Sequence, residues 1–307
     1  MQYFDRYEAA KELAALDSKI NDLLPPRYQH CYGEVPPTSM GSAGLRYETD
    51  GRVAWDQIWT SFCDLALAGG PPHRGKLLEP APDSEVAADP DRYNEVAAEI
   101  VRAVRMTTAL PVVAGTDPGW VGFRCESAQE AGWLQLAVTA ENVSARRRGT
   151  TLLLPAGPKF RVEKEIKNVV VALAKSFHYW EGHLSESQQR LAGEDVWEAA
   201  TPSEAAANPS DYEAATALMR DGLREAGLPM APPAYTGWIG IQAPSEEDAV
   251  WLLRAVLVER VLARREDDVL YLAVGATPDA ALAERAVRAF TRARALLAAS
   301  SPYRTSR

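Results

Sequence analysis

The stretch GWVGFRCESAQEAGWLQLAVTAENVSARRRGTTLLLPAG (residues 119–157) is answered by GWIGIQAPSEEDAVWLLRAVLVERVLARREDDVLYLAVG (residues 237–275), at a fixed offset of 118. Roughly seventeen of the thirty-nine aligned positions are identical, with no gap. They include Gly119/Gly237, Trp120/Trp238, Trp133/Trp251, Glu141/Glu259, Arg146/Arg264 and Arg147/Arg265. Self-similarity at a fixed period is the mark of a repeated structural unit. Shifted by one residue, the likeness continues upstream, where SEVAADPDRY (84–93) resembles SEAAANPSDY (203–212). The chain therefore reads as two copies of one unit, near 79–180 and 198–298.

Both copies predict the same order of elements. Residues 94–107 and 213–226 carry apolar positions at helical spacing and stop shortly before Leu-Pro. A short strand follows, WVGFRC or WIGIQA. Ser127 and Ser245 then open helices, with Glu130 and Asp248 three positions on, which approximates a capping box. Residues 261–274 read as a β-hairpin around Asp267-Asp268, and Arg148-Gly149 marks the matching turn in the first copy. The last helix carries Ile166, Val169, Val170 and Leu173 in copy one and Leu282, Val287 and Phe290 in copy two. The unit is thus α-β-α-β-β-α and the fold class α+β. Three strands alone leave helix stripes uncovered. The expectation is therefore one mostly antiparallel sheet of about six strands, built by joining the copies about a pseudo-twofold axis. The repeated tryptophans are assigned to packing. The domains follow as 1–78, an N-terminal helix and loop-rich elaboration; 79–183, copy one, bearing the site; and 184–307, copy two, structural.

A net charge of −9 argues against nucleic acid as a main partner. The basic run Arg146-Arg147-Arg148 reads as a solvated strand end. The N-terminus is too charged for a secretory core, and no apolar run reaches the ~18 residues of a membrane span. Cys31, Cys63 and Cys125 lack the spacing of a disulfide framework or a structural zinc site. A reduced, cytoplasmic protein without a membrane partner, monomeric or homodimeric, is expected.

Candidate chemistry lies where the copies differ. All four histidines, His30, His73, His178 and His183, fall in the first 183 residues. Only copy one follows a long segment, residues 25–80, rich in Pro, Gly, Tyr, His and Arg; long unique loops in compact proteins are commonly functional. Within it, Trp55, Ile58, Trp59, Phe62 and Leu65 form a helical stripe over 55–68, stopped by Gly69-Gly70. Next comes AGGPPHRGKLLEP (68–80), whose GxxxxGK spacing imitates a phosphate-binding loop. The imitation fails: a helix precedes it, Pro71 and Pro72 remove backbone donors, and Leu77 stands where a Mg²⁺-binding hydroxyl belongs. A stiff turn presenting His73, Arg74 and Lys76 remains.

The last helix of copy two opens with Thr277 as N-cap and Pro278 behind it. Copy one instead places Lys159 and Arg161 beside a helix N-terminus, where the macrodipole is already positive. Either Glu163 and Glu165 answer them locally or an anionic ligand does. His178 and His183, five apart, are expected on different helix faces. His30 and Cys31 point to opposite sides of an extended chain.

Together these features point to an enzyme acting on an anionic carboxylate or phosphate metabolite, of a biosynthetic type. His73 is the leading general acid/base, with His178 second and Cys31 a possible nucleophile. Arg74, Lys76, Lys159, Arg161 and Arg46 form the anion clamp. No cofactor is implied. Two other readings stay open: a non-catalytic scaffold binding a protein through the Trp- and Tyr-bearing segment, and a metal or cofactor carrier using His30, His73 and His178.

Overall fold

A computed structural model describes residues 6–24, 44–61, 65–70, 72–192 and 197–304. The chain divides into two compact units, one of residues 38–66 and 70–194, the other of residues 1–37, 67–69 and 195–307. Both are mixed helix and antiparallel sheet, so the fold class is α+β.

In the first unit, α2 (Asp83–Ala88) and α3 (Pro90–Thr108) meet at Asp89, whose carboxylate accepts from Arg92 N while Pro90 occupies the first helical position. Strands β1 (Val112–Val113), β2 (Trp120–Arg124), β3 (Arg146–Arg148) and β4 (Thr151–Pro155) form a sheet of order β1-β2-β4-β3. Helix α4 (Ala128–Ala140) starts at Ser127, whose hydroxyl accepts from Glu130 N at 3.0 Å. From Glu130 to Ala140 every residue of α4 is buried, as expected of the central helix of a unit. Helix α5 (Lys167–His183), preceded by a π-helical turn Val162–Ile166, packs on α3 and α4. Helix α6 (Glu186–Leu191) follows, with a full capping box at Ser185.

The second unit contains α1 (Arg6–Leu23), α7 (Pro202–Ala207), α8 (Pro209–Glu225), β5 (Trp238–Gln242), α9 (Glu246–Leu257), β6 (Ala263–Glu266), β7 (Val269–Ala273) and α10 (Ala280–Arg304). Its sheet order is β5-β7-β6. Register follows the sequence offset: Trp120 pairs with Pro155 and Val121 with Leu154, while Trp238 pairs with Ala273 and Ile239 with Leu272. The hairpins turn at Gly149 and Asp267, both with left-handed φ. The repeated tryptophans Trp120, Trp133, Trp238 and Trp251 are all buried.

Several expectations are corrected. The strands form two separate sheets, not one, because β2 and β5 each hydrogen-bond within their own unit and β1 adds a fourth strand to the first. The expected helix over 55–68 is two short 3-10 pieces, Trp55–Ser61 and Ala66–Ala68. Trp55, Ile58 and Leu65 of its stripe are nonetheless buried packing, and Trp55 Nε1 donates to Glu99 at 2.8 Å. Phe62 and Cys63 lie outside the described residues. Asp279, not Thr277, caps α10, accepting from Leu282 N at 2.9 Å. An acceptor three residues before the donor is the geometry that capping requires, and only Asp279 has it.

Candidate functional site

Helix α4 ends against a carboxylate. Glu141 is its C-cap, and Asn142 turns the chain with φ +59. The end of a helix presents unpaired carbonyls and partial negative charge, so a buried glutamate there needs strong compensation. It has three partners: Lys175 Nζ of α5 at 2.7 Å from Oε1, Ala66 N at 2.8 Å from Oε1, and His73 N at 2.8 Å from Oε2. Both ionic side chains are 0% exposed. The backbone carries the seam further. Arg74 N donates to Glu141 O, Asn142 Nδ2 donates to Arg74 O at 2.8 Å, and Leu78 pairs with Val143 as an isolated parallel bridge. Ala66 and residues 73–78 are thereby stitched onto the end of α4.

The seam carries His73 inward. Both imidazole nitrogens are inaccessible to solvent, and neither has a partner at good hydrogen-bond geometry, the nearest approach being that of the Asn168 side chain. Burial lowers its pKa to about 3, and the charges of Lys175, Lys167 and Arg74 push the same way. Asn168, from the first turn of α5, approaches the ring and partly opposes them. Lys167 is itself buried, which pulls its ammonium below the ordinary lysine range. The result is a neutral, buried imidazole beside cations, with only the Asn168 side chain opposing them. Such a ring can accept a proton or donate a hydrogen bond to an anion, and an anion would raise its basicity toward the ordinary value.

The other sequence candidates are dispersed. Arg74 shares the seam, but its Nε donates to Lys76 O at 3.1 Å, and Lys76 is exposed. Lys159 pairs with Glu85 at 3.0 Å, and Arg161 with Glu165 at 3.4 Å. Their anions are therefore supplied by the chain, Glu165 also accepting from Arg161 N across the start of the π-helical turn. Arg46 is exposed. His178 does not join His73; its Nε2 lies 3.2 Å from Nε2 of His183. The expectation that these two histidines face apart is corrected. Leu184 N bonds to Tyr179 O five residues back, and this wider last turn brings residues five apart onto one face. Burial, and then His183, lower the pKa of His178. His30 and Cys31 lie outside the described residues. Cys125 is buried packing, its thiol pushed up to about 12. Among the described residues, no three His, Cys, Asp or Glu side chains converge to hold a metal ion.

Sequence reasoning missed Glu141, Lys175, Lys167 and Asn168. A signal for Lys175 was present: it interrupts the apolar run VVVALAKSF (169–177), where a lysine needs a buried counter-charge.

No known protein family and no curated protein matches this chain. Among solved structures, a weak likeness links it to one described as a high-resolution structure of SPT with PLP internal aldimine. The identity is 14% and the TM-score 0.24, over 48% of this chain and 37% of that one, too slight to support any argument. No helix among the described residues is long and apolar enough to cross a membrane.

Proposed function

We propose that this chain is an enzyme of the cytoplasm that binds an anionic small molecule, a carboxylate or phosphate, against His73 and exchanges a proton with it. The observation that carries the reading is a neutral, solvent-shielded imidazole whose nitrogens have no well-formed hydrogen bond and which feels the charges of Lys175, Lys167 and Arg74. The clamp is thereby revised. Arg74 stays, while Lys167 and Lys175 replace Lys159, Arg161, Lys76 and Arg46. Lys175 is held by Glu141 at 2.7 Å. The Trp55 indole, fully buried and bonded to Glu99, is committed to the core, which speaks against a scaffold that would present it to a partner.

Sulfate and a four-carbon dicarboxylate, titrated calorimetrically against the full chain, test the reading. A bound anion raises the His73 pKa, so binding takes up a proton and tightens as the pH falls from about 7 to about 5. The expected result is saturable binding with proton uptake, weakened at least about tenfold in His73→Gln and in Lys167→Met. Equal binding by wild type and His73→Gln, or no saturation below about 20 mM, overturns it.

A further inference from the structure

A cleft lies in the same unit, between the start of α4 and the end of α5 with α6. It measures about 730 Å³, and its wall carries Glu126, Glu130, Glu181 and Glu186, one cation, Arg190, and Trp180. Arg190 is already paired, at 3.6 Å, with Glu186. Among the described residues no cation pairs with Glu126, Glu130 or Glu181. Glu130 is decisive. It is 1% exposed; its Oε2 accepts from Glu126 N at 2.6 Å, but its Oε1 is buried without a partner. A buried carboxylate oxygen left without a donor is costly, and a bound donor removes the cost.

The acidity is not imposed by the fold. The other unit has a cleft in the corresponding position, between the start of α9 and α10, of about 480 Å³. There the wall includes Leu228, Phe290 and Leu297, together with Arg294, which donates to Gly227 O, and Asp248, which stands at the position of Glu130. The same framework thus encloses an apolar cleft in one unit and an acidic one in the other.

We propose that the acidic cleft binds an aliphatic diamine or polyamine. A protonated primary amine brings several N–H donors for Glu130 Oε1 and its neighbours and an ammonium charge for the glutamates. A metal ion is disfavoured, because no three acidic or imidazole side chains among the described residues converge on one point. Burial, and then the charges of Glu181 and Glu126, raise the pKa of the Glu130 carboxyl, the response expected of an acid whose counter-cation is missing.

Calorimetric titration of the full chain with 1,4-diaminobutane and with spermidine tests the proposal. Saturable binding is expected, weakened at least about tenfold in Glu130→Gln and, as a surface variant that spares the α4 cap, in Glu181→Gln. His73→Gln leaves it unchanged, which separates this site from the anion site. Four results overturn the proposal. They are no saturation below about 10 mM, undiminished binding by both glutamine variants, tighter binding of zinc or magnesium at the same residues, and tighter binding of a lysine-rich peptide than of either free amine.

Discussion

At the scale of single residues, His73 and Glu141 show how one loop becomes chemistry. His73 has a folded pKa of about 3 against 6.5 in a free chain. Between these values the unfolded chain binds the proton and the native one does not, so stability is lost as the pH falls from about 6.5 toward 3. Relative to His73→Gln, the wild type should lose about 2 kcal/mol between about pH 6.5 and pH 5, read from urea unfolding at the two pH values. The Glu141–Lys175 pair is the second test. Lys175→Met leaves a buried carboxylate without its counter-ion and should cost about 3–5 kcal/mol. Adding Glu141→Gln neutralises that charge while leaving an amide oxygen for one of the two backbone donors, so the double variant should be more stable than Lys175→Met alone. Urea midpoints of the two variants decide it.

Elements follow local rules, which is why so many are legible in the sequence alone. Ser127 and Ser245 each accept from the N–H three residues on, Glu130 and Asp248. Ser245→Ala should cost about 1 kcal/mol, measured by denaturant unfolding. Ser127→Ala should cost a similar amount and also loosen Glu130. Gly119 and Gly237 precede β2 and β5 with φ of +83 and +77, and a Cβ on Gly237 would collide with the Ala200 carbonyl. Gly237→Ala therefore combines a left-handed backbone with a backbone clash, and a loss of about 2–4 kcal/mol is expected in the same measurement. Where local rules misled, tertiary packing had a competing claim. The stripe Trp55, Ile58 and Leu65 has helical spacing, but a short 3-10 turn buries Trp55 and Ile58, and Leu65 is buried in the link before the next turn. The turn His73-Arg74-x-Lys76 was legible as a turn. Its inward histidine was not, because the seam that pulls it in belongs to Glu141, 68 residues away.

For the whole molecule, charge and topology matter most. A chain of net charge −9 attracts cations at long range, so diamine affinity should fall severalfold as salt rises from about 50 to 200 mM. Calorimetry at the two salt concentrations measures the effect. The sequence by itself determined the offset of 118, the strand and helix order, the caps at Ser127 and Ser245, the hairpin turns and the burial of the repeated tryptophans. These depend on neighbours in the chain and on apolar periodicity, both visible in one dimension. Only the tertiary structure decided that the strands close into two sheets, that Lys159 and Arg161 already have carboxylates, and that His178 meets His183. It also decided that Glu141 gathers Lys175 and the loop of His73 at the end of α4. Each of these joins residues or elements through space, and buried charge is tolerated only where such a partner arrives, which no local pattern can specify.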